Sequence, residues 1–480
     1  MKETTHYGRI LKDFAKEDKK LLKSLIGTKD FYKRVIALML PIMIQNLITN
    51  FVNMLDNVMI GKVGTVEMMG VAISNQLVFV FNLCLFGAIS GAGIFGAQFY
   101  GNRDDEGVRH TFRFKLIICT VLTLLGIGIF TVFGKTLVST YLQGEGNVTD
   151  ASASLDYALG YIKIMIIGFL PYAVAQCYSS TLREIEKPIL PMVAGIIAVV
   201  VNLVLNYILI FGHFGAPKMG VNGAATATVI SRFAELLIVV TWTALHKNNT
   251  PFIIGAFKSL YVPGVLVRQI IRKGMPLMLN ETMWSAGMAM LNQCYSVRSL
   301  DVVAASNISQ TFFNVFSVGF LSLGVAIGII LGQMLGAGET EAAKDSSKKL
   351  IAFSVTISIG IAAIFAILAR FIPLLYNTTP SVRTLATQIM LITALVMPLD
   401  AFANASYFTL RSGGKVFITL LFDSVFAWCV SVPVAFVLSR YTSISVLALF
   451  GAVQSLNFIK CVIGFVFVKK GTWIRNIISM

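Results

Sequence analysis

Long apolar segments, separated by short polar loops, follow one another along almost the whole chain. Twelve of them reach about 20 residues, the length that an α-helix needs to cross the hydrocarbon core of a bilayer. None shows the alternation over about ten positions that is typical of a membrane β-strand, so the pattern predicts an all-α membrane protein with twelve transmembrane helices. The predicted spans are residues 35–60, 68–98, 114–134, 157–182, 189–212, 220–245, 274–297, 302–336, 348–374, 384–410, 416–439 and 444–468.

The charge distribution predicts how these spans are oriented. Of the 480 residues, 56% are hydrophobic and 13% are charged, and the formal net charge is +16. With both termini on one side of the membrane, 29 of the 39 Lys and Arg residues fall on that side, 7 on the other, and 3 lie within spans. Because basic loops stay in the cytoplasm, we expect a multi-pass protein of the cell membrane with both termini cytoplasmic.

This explanation of the positive charge removes the reason to expect nucleic-acid binding. The N-terminal run KEDKKLLKS is in addition suited to contact anionic lipids at the membrane surface.

Similar residues recur in the two halves of the chain at a nearly constant offset. The matching pairs, in chain order, are Pro41 and Pro276, AQFYGN (97–102) and GQMLGA (332–337), Pro171 and Pro398, and Thr181-Leu182-Arg183 and Thr409-Leu410-Arg411. The first two pairs are 235 residues apart and the last two are 227 or 228 apart. Because six spans are an even number, the pairs predict two parallel six-helix lobes related by a pseudo-two-fold axis along the membrane normal.

This duplication divides the chain into five predicted parts. Residues 1–34 form a cytoplasmic segment, 35–245 the N-lobe, 246–273 a cytoplasmic linker, 274–468 the C-lobe and 469–480 a cytoplasmic tail. Transporters with parallel repeats place their substrate path between the halves.

An aspartate lies near the end of the first predicted span, in NFVNMLDNVMIGKVG (50–64). A carboxylate inside a membrane costs about 3 kcal/mol even on the most lenient insertion scale. Seven polar residues of this span share a helical arc of about 140°, and such a stripe must face protein or water. These residues are Gln45, Asn46, Thr49, Asn50, Asn53, Asp56 and Asn57. Interhelical hydrogen bonding explains amides, whereas Asp56, which has no Lys or Arg partner within its own helix, favours a cation or proton as its partner.

Other carboxylates also fall inside predicted spans. Glu281 and Asp400 each follow a proline, which frees backbone carbonyls beside the acid and favours cation handling at a helix bend. For Asp423, the position deep within its span is the only feature that favours a functional role. Glu235 follows Arg232 by three residues on the same helical face, which favours a structural ion pair.

The segment after Pro276 is rich in methionine, and methionine side chains can repack around ligands of different shapes. We expect Gln45, Asn280, Trp284 and Met288 to line a substrate chamber. The six cysteines are scattered in apolar spans without a CxxC pair, so they indicate neither disulfides nor a metal site.

Several motifs in combination resemble the multidrug and toxic compound extrusion (MATE) family, over nearly the whole chain from Val35 to KKGTWIRN. The motifs are PxxxQN and VNMLDNVMIGKVG in span 1, AQFYGN in span 2, VNLVLNYILIFG and GVNGAATAT at spans 5 and 6, and TLRSGGK after span 10. The resemblance implies an antiporter that exports drugs and organic cations in exchange for H⁺ or Na⁺, without a cofactor. We expect it to act as a monomer.

The resemblance also implies roles for particular residues. Asp56 matches the family's span-1 cation carboxylate, where Na⁺ would sit beside Asn53 and Asn202. Asp400 matches the span-10 acid of sodium-coupled members. Asn206 stands where proton-coupled members often have aspartate, and Glu281 lies earlier than the family's span-7 glutamate. The choice between H⁺ and Na⁺ stays open, with seven coupling candidates. These candidates are Asp56, Asn53, Asn202, Asn206, Glu281, Asp400 and Asp423.

Three alternatives to this interpretation remain at the level of sequence. A major-facilitator transporter also has twelve helices in two halves, but the loop GNRDDEGVR lacks the basic residue that its motif requires after the aspartate. A flippase for lipid-linked precursors belongs to the same superfamily but usually has more spans. An integral-membrane enzyme would need a polar catalytic cluster at one membrane face, and no Walker loop, GxSxG or HExxH motif is present.

Overall fold

The computed structural model describes residues 25–142, 148–376 and 378–479, apart from the side chains of Asn53, Val148, Thr149 and Leu300. Over these residues the chain consists of helices and turns, without a β-strand. The basic run KEDKKLLKS lies outside the described residues.

Within those ranges, twelve long helical segments, α1 to α12, run back and forth, as predicted. They are α1 (Lys29–Gly61), α2 (Thr65–Gly101), α3 (Asp105–Tyr141), α4 (Val148–Met165 and Phe169–Glu184), α5 (Ile189–Phe211), α6 (Val221–Leu245), α7 (Gly264–Ser296), α8 (Leu300–Gly336), α9 (Thr340–Leu368), α10 (Pro380–Ser412), α11 (Val416–Tyr441) and α12 (Val446–Lys470). Eleven of them contain a stretch long and apolar enough to span a membrane. The twelfth, α7, carries too many polar and charged residues to qualify on composition alone.

Prolines account for several irregularities in these helices. In α4 the 3₁₀ turn Ile166–Gly168 precedes Pro171, and in α11 the π-helical turn Ala427–Ser431 precedes Pro433. A proline has no N–H to donate and its ring clashes with the carbonyl one turn earlier, so the helix changes its hydrogen-bond pattern just before it. Pro276 and Pro398 lie inside α7 and α10.

The helices form two lobes, each with its own core. One cluster of buried apolar side chains extends from Ile60 to Ala256, and a second extends from Leu291 to Val453. Between the lobes, α1 packs against α8 and α2 packs against α7. These two contacts exchange under the repeat, because α1 corresponds to α7 and α2 to α8. The packing confirms two parallel six-helix lobes about a pseudo-two-fold axis.

The repeated motifs AQFYGN and GQMLGA lie against each other where α2 and α8 end. Gly101 packs on the backbone of Gln333, and Gly336 packs on the backbone of Gln98, with no room for a Cβ at either glycine. Glycine is required here because two backbones approach closely. We call this end of the bundle, where Lys29, Gly101, Glu184, Gly336 and Ser412 lie, the termini face, and the opposite end the far face.

The two glutamines of these motifs bond the lobes together at the termini face. The amide nitrogen of Gln98 donates to the carbonyl oxygen of Ser412 at 3.0 Å, and that of Gln333 donates to the carbonyl oxygen of Glu184 at 2.7 Å. Ser412 follows Glu184 by 228 residues, so these hydrogen bonds are related by the repeat. The lobes are therefore closed on each other at this face.

Toward the far face the lobes separate. Among the described residues, the interlobe side-chain hydrogen bond farthest from the termini face joins Asn46 to Ser322, near the middle of α1. Beyond it, polar side chains in the far halves of α2 and α8 are exposed, and polar groups exposed at this depth must meet water instead of lipid. They include Asn75, Gln76, Gln310, Thr311 and Asn314. We infer from these exposed polar side chains that a polar cleft between the lobes opens to the far face.

A buried arginine holds the connection between the lobes. The Arg113 guanidinium donates to the carbonyl oxygens of Gly255, Ala256 and Tyr261, at 2.7, 2.8 and 3.2 Å. α7 begins at Gly264, inside the segment predicted as linker (246–273). The exact boundaries of the lobes and linker remain predictions.

Candidate functional site

Asp56 lies in a polar cluster formed by three helices of the N-lobe. Its carboxylate accepts a hydrogen bond from the Asn206 amide at 2.7 Å, and the same amide lies 3.1 Å from the side-chain oxygen of Asn202. The Asn202 amide contacts the Thr228 hydroxyl at 3.2 Å. With that amide in its other orientation, its nitrogen donates to both Asp56 oxygens at 3.2 Å. We call Asp56, Asn202, Asn206 and Thr228 the N-lobe cluster.

The chemistry of this cluster suits a small hard cation or a proton. Carboxylate, amide and hydroxyl oxygens converge here, and the side-chain oxygen of Asn206 is buried without a hydrogen-bond partner. In the part of the chain that the structure describes, no Lys, Arg or His lies within 4.0 Å of the Asp56 carboxylate. The side chain of Asn53, predicted to belong to this site, lies outside the described residues.

The C-lobe contains a second cluster, in which Asn280 is the central donor. Its amide nitrogen lies 3.3 Å from both the Tyr407 hydroxyl and the Asp423 carboxylate. The Tyr407 hydroxyl contacts the Glu281 carboxylate at 3.5 Å, and Asp423 forms an ion pair with Lys460 at 2.7 Å. Asp423 lies in the π-helical turn Leu421–Val425 of α11, an irregularity that occurs frequently at functional sites.

The three C-lobe acids differ in how their charge is balanced. Asp423 is neutralised by Lys460 of α12. Asp400 accepts a hydrogen bond from the Asn457 amide at 2.9 Å, just after the break at Leu456 in α12. Neither Asp400 nor Glu281 has a cationic side chain within 4.0 Å in the described ranges. Arg411 and Lys460 lie within electrostatic range of Glu281 and Asp400, respectively, without contacting them.

Arg232 and Glu235 do not form the expected ion pair in direct contact, although each lies within electrostatic range of the other. No such contact occurs within 4.0 Å between these two described side chains. The Arg232 guanidinium instead stacks on the Tyr172 ring at 4.8 Å and approaches the carbonyl oxygen of Gly168 at 3.4 Å. The side chain of Arg232 is therefore directed to the irregular region of α4 and not into direct contact with the neighbouring acid.

The four residues predicted to line a chamber lie in different places. Gln45 accepts a hydrogen bond from Arg183 at 2.8 Å, and Asn280 is buried within the C-lobe cluster. Trp284 is 39% exposed, and Met288 packs against the C-lobe core. Their role in binding substrate remains a prediction.

A cavity of about 140 Å³ lies between the lobes, directly beside the closed termini face. Residues of α2 and α4 line it from the N-lobe, and residues of α8 and α10 from the C-lobe. We call it the central cavity. Arg183 and Arg411, the two arginines of the repeated TLR motif, both line it. The sequence indicated these two arginines only through the recurrence of TLR in both halves. A repeated motif does not by itself show whether its residues form a binding site or a packing contact.

Two lobes, a cleft toward one end and half-buried carboxylates in each lobe are typical of a secondary membrane transporter with parallel repeats. The MatE family model matches residues 41–208 and 276–437, so both halves match the same model. The chain therefore belongs to the multidrug and toxic compound extrusion (MATE) family of efflux transporters.

Individual relatives agree with this assignment. The chain is 27% identical to "Probable multidrug resistance protein YoeA" of Bacillus subtilis over 420 residues, which cover 86% of this chain and 87% of the relative. It is 25% identical to "Probable multidrug resistance protein NorM" of Bacillus anthracis over 421 residues, 85% of this chain and 89% of the relative. A crystal structure of a mutant Vibrio cholerae MATE transporter, VcmN, has the same fold, with a TM-score of 0.84 at 16% identity, covering 95% of this chain and 100% of that chain.

Proposed function

We propose that this protein exports small organic molecules, including drugs and organic cations, in exchange for Na⁺ or H⁺ by alternating access. It is a transporter and not an enzyme. Relatives with names that refer to multidrug resistance support the export of drugs, and membership of the MATE family replaces the major-facilitator alternative. The charge bias of the loops supports a cell-membrane location with the termini face in the cytoplasm and the cleft toward the outside.

The observation that carries the proposal is the N-lobe cluster. Asp56 is held between α1, α5 and α6 by amides that cannot neutralise its charge. Binding of Na⁺ or a proton removes that charge and draws these helices together differently from the empty state. An ion can shift the equilibrium between two conformations only through such a difference in binding.

A gradient-driven efflux assay tests the proposal. Purified protein is reconstituted into liposomes loaded with a fluorescent organic cation, and a Na⁺ gradient and a pH gradient are imposed separately. We expect dye loss under at least one gradient and none when an ionophore dissipates it. Absence of gradient-dependent efflux, with turnover of lipid headgroups in the same vesicles, would instead support an integral-membrane enzyme.

The two C-lobe acids without a contacting cation give a further prediction. Glu281→Gln and Asp400→Asn remove charge without changing shape, and each is expected to lower efflux by about tenfold or more, equivalent to ~1.4 kcal/mol. Initial rates are measured at matched protein content. Glu341→Gln and Asp345→Asn make the same changes at exposed positions of α9 and are expected to leave the rate unchanged. Normal efflux by both C-lobe variants under both gradients would remove these acids from the mechanism.

A further inference from the structure

The central cavity lies where the two lobes meet, on the pseudo-two-fold axis. Gly93 and Ile94 on one side correspond to Gly328 and Ile329 on the other, and all four line it. Its base is formed by the hydrogen-bonded termini face, because Glu184 and Ser412 belong to both. On the opposite side, Phe86 lines the cavity and is 44% exposed. The cavity is therefore the inner end of the cleft that opens to the far face.

The charges that line this cavity do not cancel. Glu184 is the acid among its described lining residues, and that carboxylate is already bound by the Lys115 ammonium at 2.6 and 2.7 Å. Arg183 and Arg411 line the same cavity, and neither has a carboxylate within 4.0 Å among the described side chains. Glu235 and Glu281 lie within electrostatic range of Arg183 and Arg411, respectively, but do not contact them. The cavity thus presents two guanidiniums without a carboxylate in direct contact.

Both guanidiniums keep hydrogen-bonding capacity. Arg183 donates from one terminal nitrogen to Gln45, while its Nε is buried without a partner. Arg411 is 7% exposed, and its guanidinium lies 5.3 Å from the centre of the Phe408 ring and 6.0 Å from that of Phe86. These rings lie at cation–π distance, and the Tyr407 hydroxyl takes up one hydrogen bond of the guanidinium. The remaining N–H donors of the five on an arginine are available to a ligand. Planar guanidiniums match the geometry of a carboxylate.

The size and walls of the cavity define the rest of the ligand. A volume of about 140 Å³ is close to that of an apolar protein cavity that holds benzene, about 150 Å³. Phe86, Phe408 and Tyr172 contribute aromatic walls, and the side that carries Phe86 leaves space for a larger molecule to extend into the cleft. An aromatic ring with an acid group fits these dimensions, and a second fused ring can extend past Phe86 toward the cleft.

We propose that the central cavity binds the carboxylate of aromatic acids, zwitterions included, between Arg183 and Arg411. The proposal rests on the proposed function, since it treats the cavity as part of the transport path. It assigns the acid group of such compounds to one particular pair of side chains. In a zwitterion the amine is left free to extend toward the polar cleft while the acid is held at the base.

Binding of two matched probes to purified protein tests this inference. Naphthoate and naphthamide share ring and shape but differ in charge, and their affinities are measured by titration in detergent without any gradient. We expect naphthoate to bind wild-type protein about tenfold tighter or more, because hydrogen bonds to charged groups are the strong ones. Arg183→Gln and Arg411→Gln should each bring naphthoate down to the affinity of naphthamide. Arg440→Gln provides the control, because Arg440 also stacks on a ring, Phe436 at 4.4 Å, but is exposed near the end of α11.

Two results would overturn the inference. One is equal affinity of wild-type protein for the two probes. The other is an equal loss of affinity for both probes in the arginine variants, together with a lowered melting temperature. That result would indicate that the arginines have a structural role. Arg411→Lys, which restores charge, should recover part of the preference for naphthoate. Because no gradient is used, failure of ion-coupled efflux would leave this measurement intact, so the two proposals fail separately.

Discussion

Asp56→Asn is expected to abolish gradient-driven efflux while the protein still folds, inserts and binds substrate. The substitution keeps the side-chain shape and its hydrogen bonds to the N-lobe cluster but removes the charge that binds Na⁺ or accepts a proton. A charged contact of this kind contributes up to about 3 kcal/mol, so ion affinity should fall by roughly 100-fold. The measurement is dye efflux from proteoliposomes under each gradient, with melting temperature and substrate binding determined on the same preparation.

A swap of the two partners makes this test sharper. In Asp56→Asn combined with Asn206→Asp, the carboxylate moves across a hydrogen bond of 2.7 Å within the same cluster. We expect partial recovery of efflux, because the site regains one negative charge beside the same amides. A purely structural Asp56 predicts instead a lowered melting temperature, and full efflux by the single variant would leave the buried charge without a transport role.

Gly101→Ala and Gly336→Ala are expected to prevent the lobes from closing at the termini face. A Cβ on either glycine would overlap the backbone of the opposite lobe, which cannot move without displacing a helix. Closure is one half of the transport cycle, so we expect efflux to fall by more than about tenfold, equivalent to ~1.4 kcal/mol. Gly360→Ala is the matched control, because a Cβ there meets no atom within 4 Å.

A cysteine reporter shows whether the face has opened. Ala97 is buried beside the central cavity and is replaced by cysteine in a protein without its six native cysteines. An impermeant maleimide should label it from the termini side in the Gly101→Ala and Gly336→Ala proteins, but not in the protein with both glycines. Unchanged labelling with normal efflux would show that the contact between the two glycines and the opposite backbone accommodates a Cβ, and would contradict this prediction.

The sequence predicted what depends on one helix or on the repeat. The twelve helices followed from apolar length, and the lobe arrangement followed from pairs such as Pro41 and Pro276. The polar face of α1 also emerged from helical spacing, and Gln45, Asn46 and Asp56 each bond another helix in the structure.

Helical spacing and the repeat could not predict which side chains meet between helices that are far apart in the chain. Lys460 neutralises Asp423 across 37 residues, and no spacing rule indicates that partner. Arg232 and Glu235 are three residues apart, yet the arginine approaches the Gly168 carbonyl of α4, at 3.4 Å, and does not contact the acid. Spacing on a helix specifies which side chains are neighbours, whereas the surrounding helices decide which neighbour is the better partner.

The reciprocal contact at the termini face has the geometry of an isologous interface, in which the same surface from two copies meets itself. In a homodimer any change at such an interface appears twice. Within one covalent chain the two copies change independently, and here they have done so: the pair Lys115 and Glu184 in the first copy corresponds to Leu350 and Ser412 in the second. Because the repeats are fused in one chain, the N-lobe wall of the central cavity carries a neutralised acid, Glu184, whereas the C-lobe wall carries a serine at the equivalent position. A symmetric homodimer could not have this difference between its two walls.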